Sequence, residues 1–153
     1  MDQEAHSPMS TFKPSEKDIK HLLDWFETYQ NHILANDLDA MADMAIFPLV
    51  VMTNDSEGNA VTQEWDRETF KQALDLAAQG VDPATITITN ERQPFFLNEN
   101  LAIVITDAKT TIAGKTQPSR YADIMFKKDG EWRYKSMIQS GWGDMLKTYF
   151  AHK

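Results

Sequence analysis

Residues 120–128 and 131–139 form two β-rich runs joined by Asp129-Gly130, a dipeptide that favours a two-residue hairpin turn. With that turn, Lys128 faces Glu131, Phe126 faces Arg133, and the register follows outward. One face of the ribbon then carries Tyr121, Asp123, Met125 and Lys127 against Ile138, Ser136, Tyr134 and Trp132. Asp123 is a solitary carboxyl in an apolar, aromatic setting, placed across from Ser136. Desolvation raises an aspartate pKa, whereas a hydrogen bond from Ser136 would favour the anion. A carboxyl so placed can take a proton as a general base or hold a ligand hydroxyl. Tyr121, or Tyr134 if its hydroxyl turns inward, can donate a hydrogen bond to a developing oxyanion. The plainer alternative puts Asp123 at the sheet rim, hydrated or paired with Arg120.

These groups need a wall opposite them, and the start of the chain supplies one. Ser15 followed by Asp18 reads as a capping box. Behind it, Ile19, Leu22, Leu23, Phe26, Tyr29, Ile33 and Leu34 fall in one arc of a long amphipathic helix. Gln30 interrupts that arc, and a buried amide there must bond the sheet or point into a cavity. Trp25 lies on the flank with His21, where it can line a pocket rim, touch the C-terminal segment or simply face solvent. If the hollow holds a ligand, Trp25, Tyr29 and Gln30, with Tyr134 and Ser136, are the expected ligand-binding residues. His21 and His32 lie on the helix flank roughly 16 Å apart at 1.5 Å per residue, too far to share a metal ion.

Asp37 reads as the cap of a short second helix over residues 38–44. A β-rich run over 46–53 follows, with Pro48 at its start or at an edge, and a return strand over 60–63. Asp66 caps a third helix in which Trp65 and Phe70 make a hydrophobic-staple pair, and Gly80 ends it. Residues 85–89 alternate as a strand, a long strand covers 101–113, residues 114–118 read as a loop, and a last helix covers 144–151. Leading helices followed by about four antiparallel strands predict an α+β fold: a curved antiparallel sheet wrapped around the long N-terminal helix. The 101–106 stretch is apolar on both faces, which predicts a second partner for the outer face, most simply a homodimer through the sheet. Residues 1–14 read as a flexible leader and 15–153 as one domain.

The composition narrows the function classes. The chain has 153 residues, 15 Lys and Arg against 23 Asp and Glu, and no cysteine. An acidic chain without a basic patch predicts neither nucleic acid nor membrane as partner. The absence of cysteine removes disulfides and thiol chemistry and agrees with a cytoplasmic location. No apolar run is long enough for a membrane span or a signal sequence. No metal-ligand spacing, P-loop or GxSxG motif is present, so neither a metal nor a cofactor is expected.

The order of elements, the segment ANDLDAMADM at residues 35–44 and the ribbon RYADIMFKKDGEWRYKSM at 120–137 resemble the nuclear-transport-factor-2-like superfamily, which includes SnoaL-like cyclases, ketosteroid isomerase and scytalone dehydratase. The resemblance implies a cystatin-like cone with an apolar pocket at its open end, and a dimer joined through the outer sheet face. Tyr121 and Asp123 match the Y-x-D spacing of SnoaL-like sequences, and Trp132 matches the Trp after the Asp-Gly turn. Two functions follow as expectations. One is a small-molecule-binding protein, or a metal-free lyase or isomerase in which Asp123 is the base and Tyr121 a catalytic donor, acting on a small apolar or carbonyl-containing ligand. The other is a non-catalytic homodimeric interaction module with a vestigial pocket. An open cavity of roughly 300 Å³ or more with convergent polar groups would separate them.

Overall fold

A computed structural model describes residues 11–149. Helix α1 (Glu16–Leu34) starts at the predicted capping box: Ser15 Oγ accepts from the Asp18 amide at 3.1 Å, and Asp18 accepts from the Ser15 amide at 2.8 Å. Its arc buries Leu22 and Phe26 completely enough to anchor it on the sheet. Helix α2 (Leu38–Asp43), capped by Asp37, and helix α3 (Arg67–Ala78), capped by Asp66, follow the caps read from the sequence.

The strands are β1 (Ala45–Asn54), β2 (Ala60–Trp65), β3 (Ile86–Asn98), β4 (Leu101–Ile112), β5 (Lys115–Lys128) and β6 (Glu131–Gln139). They form one six-stranded sheet in the order β2-β1-β6-β5-β4-β3. The fold is α+β, with the curved sheet packed on the long first helix. Every neighbouring pair is antiparallel except β1 and β6, which run parallel, so the sheet is mixed at that one junction. Pro48 lies at the start of β1, within the register shift between Ala45 and Val50. A proline lacks the N–H a regular ladder needs, and an irregular stretch is where it fits.

Two expectations about the strands need correction. Residues 115–118 are not a loop: β5 starts at Lys115, and only Ala113 and Gly114, both at positive φ, make the turn. Pro118 lies beyond the end of β6, where β5 is paired on one side only, an edge position that proline tolerates. The strand expected over 85–89 starts at Ile86, Thr85 belonging to the turn before it, and runs on to Asn98, so β3 is one continuous edge strand of 13 residues.

Along β4, Ala102, Val104, Thr106 and Ala108 are buried on the inner face, while Leu101, Ile103 and Ile105 look outward and are half-buried. The inner face meets α1 in a core that includes Leu49, Val51, Met125, Trp132 and Tyr134. A terminal helix, α4 (Gly143–Tyr149), packs its buried Leu146 into the same core. Most of the expected leader (residues 1–10), and the end of the expected last helix (residues 150–151), lie outside the described residues. Among the described residues, no helix is long and apolar enough to cross a membrane.

Candidate functional site

The Asp129-Gly130 turn forms as read, with both residues at positive φ, and Lys128 faces Glu131. The register holds as far as Met125 opposite Tyr134. There a bulge in β6 inserts one residue, so Ile124 faces Ser136 and Asp123 faces Met137. Ser136 is therefore not Asp123's cross-strand neighbour. Its hydroxyl turns away and donates to the Val50 carbonyl at 3.0 Å, tying β6 to β1. Hairpin arithmetic assumes an unbroken ladder, and a bulge is the one event that shifts every pair beyond it.

Asp123 nevertheless stays on the inner face, 8% exposed, with Val104 on one side and Met137 on the other. It is neither at the rim nor paired with Arg120, whose guanidinium holds Asp107 at 2.6 and 3.1 Å. Among the described residues, no side chain or amide donates a hydrogen bond to the Asp123 carboxyl. Burial pushes its pKa up to about 7, against the pull of the Arg92 charge nearby. The group is poised to exchange a proton near neutral pH.

Asp123 lines a cavity of about 430 Å³ between α1, α3 and strands β3 to β6. Trp25, Tyr29, Gln30, Tyr121 and Tyr134 line it too, so six of the seven expected site residues come together and only Ser136 does not. The Tyr29 and Tyr134 hydroxyls meet at 2.6 Å, and burial raises both phenols well above their usual pKa. Two hydroxyls sharing one bond leave one O–H proton free for a third oxygen. Trp25 locks this pair: its ring stacks on Tyr29 at 5.1 Å and meets Tyr134 edge-on at 5.3 Å. Gln30 does both things open to a buried amide, lining the cavity while meeting the Asn90 amide at 2.6 Å.

Sequence reasoning missed Arg92. It lies on the inner face of β3, opposite Thr106, which in turn lies opposite Tyr121 on β5. Burial raises the Tyr121 phenol while the Arg92 charge beside it works the other way. The signal was available: continuing the alternation of Ile86 and Ile88 through Asn90 places Arg92 on the same face. On the far side of α1, His21, Asp24, Trp25 and Thr28 border a shallower groove of about 330 Å³ beside the Gly130–Arg133 ribbon tip. The arrangement at the main cavity thus offers a proton-exchanging carboxyl, a phenol pair with a free donor, and largely apolar walls.

No protein-family model matches the chain, and no curated protein does. Solved structures do. A scytalone-dehydratase-like protein from Novosphingobium aromaticivorans superposes with a TM-score of 0.60 at 15% identity, covering 78% of this chain and 80% of that one. A protein of unknown function with a cystatin-like fold from Nostoc punctiforme gives 0.64 at 9% identity, covering 84% and 94%. An NTF2-like protein of unknown function from Pseudomonas putida gives 0.64 at 10% identity, covering 84% and 89%. At these identities the likeness is one of fold: the chain has the cone fold of NTF2-like and cystatin-like proteins.

Proposed function

We propose that this chain binds a small apolar or carbonyl-containing molecule inside the cone and moves a proton on it, as a metal-free isomerase or lyase. The observation that carries this reading is the buried Asp123 carboxyl, which has no hydrogen-bond partner among the described residues and opens onto a cavity of about 430 Å³. That volume falls within the roughly 300–1,000 Å³ of small-molecule sites, and a filled interior would have favoured the interaction module instead. The cytoplasmic setting expected from the sequence belongs to the same proposal.

In the proposed reaction, ionised Asp123 takes a proton from the carbon beside the ligand carbonyl. The C–H electron pair becomes the C=C of an enolate, and the negative charge moves to the carbonyl oxygen. The free O–H of the Tyr29–Tyr134 pair, or Tyr121, donates to that oxygen. Protonated Asp123 then returns the proton to another carbon, giving an isomer, or to a β-hydroxyl that leaves as water, giving a dehydrated product. The base operates best when its pKa is close to the working pH, which is where burial sets Asp123.

Deuterium exchange tests this without knowledge of the natural substrate. A panel of cyclic ketones and enones is incubated with the protein in D₂O, and loss of the α-hydrogen signal is followed by NMR. The expected result is enzyme-dependent exchange that falls by at least ~100-fold in Asp123→Asn, the size of a lost general base. Exchange that is equal in both proteins removes Asp123 from the mechanism.

The outer face favours a further part of the reading, a homodimer. Phe95 and Leu97 on β3 are about half exposed, and Phe126 on β5 is 39% exposed. Direct pairing joins Phe95, Ile103 and Ile124 across three strands, and Leu101 to Phe126. A contiguous apolar sheet face of this kind is the usual mark of an interface.

A further inference from the structure

The cavity is polar at its floor and apolar at its rim. Arg92 and Asp123 on the floor are each about nine-tenths buried. Ile33 and Ile112 at the open end are each 38% exposed, and Ile86, Ile88, Leu74 and Trp142 extend the apolar wall between them. Ile86 and Arg92 are six residues apart on β3, roughly 20 Å at 3.3 Å per residue.

Arg92 is a buried cation without a matched counter-charge. Glu27 approaches one terminal nitrogen only to 3.8 Å and is itself 71% exposed, so solvent screens it. The other terminal nitrogen lies 3.2 Å from the Asn90 side-chain amide, which can accept from it once that amide is turned to present its oxygen. The face of the guanidinium rests 4.8 Å from the centre of the Phe26 ring. Its Nε is buried and makes no hydrogen bond among the described residues. The polar groups facing it across the sheet, the Thr106 hydroxyl and the Tyr121 phenol that interacts with both, carry no negative charge to match it. Asp123 forms no ion pair with it within 4 Å. A buried charge is expensive unless something pairs with it, and a guanidinium is a planar fork shaped for a carboxylate.

We propose that the cavity takes an apolar-bodied carboxylic acid head first, its carboxylate paired with Arg92 at the floor and its tail toward the Ile33–Ile112 rim. This rests on the reading of the cavity as a small-molecule site and narrows its ligand to organic acids. The walls decide the shape of the body and Arg92 decides the head.

Two matched pairs of probes test it: decanoate with decan-1-ol, and naphthalene-2-carboxylate with naphthalene-2-carboxamide. Binding is read at pH 6 from the quenching of Trp25 and Trp142, which line the cavity. The expected result is that at least one acid binds about ten- to a hundredfold more tightly than its neutral partner, the size of a charge-assisted hydrogen bond. Arg92→Gln erases that preference while the neutral probe still binds. Arg92→Lys keeps part of it, since the charge stays and the fork is lost; it also stands in if Arg92→Gln fails to fold. If the neutral probes bind and neither acid is preferred, or the preference survives loss of the guanidinium, the inference is overturned and the small-molecule site stands. If none of the four binds, both fall together.

Discussion

Asp123→Asn makes a measurable demand on stability as well as on activity. The carboxyl moves from the ordinary value of 3.8 to about 7 on folding, because burial penalises its charged form. Between about pH 4 and pH 7 the native protein holds a proton there that the unfolded chain has released. Native state stability from this group therefore falls as pH rises through that window and levels off above it. About three pKa units at ~1.4 kcal/mol each give a loss of about 4 kcal/mol between pH 4 and pH 8. Asparagine has nearly the same shape and no titration, so it lacks this slope. Other carboxylates, such as Asp55, which Lys147 and the amides of its turn hold well below the usual range, titrate alike in both proteins and cancel in the difference. The assay is urea unfolding of both proteins at half-unit steps from pH 4 to pH 8. Wild type should lose stability relative to Asp123→Asn by about 4 kcal/mol across the range, or roughly 8–16 °C in Tm for a domain of this size. Two curves that stay parallel within about 0.5 kcal/mol, the scatter of a neutral surface substitution, would refute the desolvated carboxyl and with it the proposed base.

The outer face predicts a dimer in solution: sedimentation velocity should show a two-chain species, and the paired change Phe95→Glu with Phe126→Glu should convert it to single chains without loss of secondary structure. A wild-type protein that sediments as one chain at high concentration would count against that interface. Gly143 predicts a local steric limit. A Cβ there would lie 2.6 Å from the Asn54 carbonyl oxygen and the Asp55 amide, both backbone, so α4 must shift off the β1–β2 turn. Gly143→Ala should cost about 1–3 kcal/mol, as overpacking does, and lower Tm by roughly 2–12 °C; an unchanged melting curve would show that α4 does not bear on that turn.

Local signals carried much of the fold. Ser15 with Asp18, Asp37 and Asp66 each start a helix where their side chains accept from the amide three residues on, a short-range event that sequence spacing encodes directly. The Asp129-Gly130 turn is equally local. What escaped was set by partners distant in sequence. The parallel contact of β1 with β6 joins residues more than eighty positions apart, and no nearby residue announces it. The bulge at Lys135 belongs to that same junction, where its ammonium reaches the Pro48 carbonyl and Ser136 reaches Val50. Hence the face on which Asp123 lies was legible, while its neighbour across the ribbon was not. Arg92 was missed for a different reason: its strand is interrupted by polar residues and Pro94, which hid an alternation that an edge strand tolerates.

Arg92 and Asp123 make the same argument from opposite signs. Each is a titratable side chain placed on the inner face of a sheet whose other residues are chosen for packing, and each lowers stability there: one as a cation without a matched anion, the other as a carboxyl that surrenders its charge. Apolar residues of similar volume at both positions would spare the sheet the cost of desolvating these two groups. The two groups stand within electrostatic reach of each other and of Tyr121, yet they do not close into an ion pair. Had they done so, each would have satisfied the other and the cavity floor would be chemically silent. Held apart, the guanidinium keeps an Nε donor without a hydrogen bond among the described residues, and the carboxyl keeps a proton near neutral pH. In the proposed reaction, a ligand oxygen entering here would meet a fixed positive charge from Arg92 and a mobile proton from Asp123, the two things that acid–base chemistry on a carbonyl compound requires.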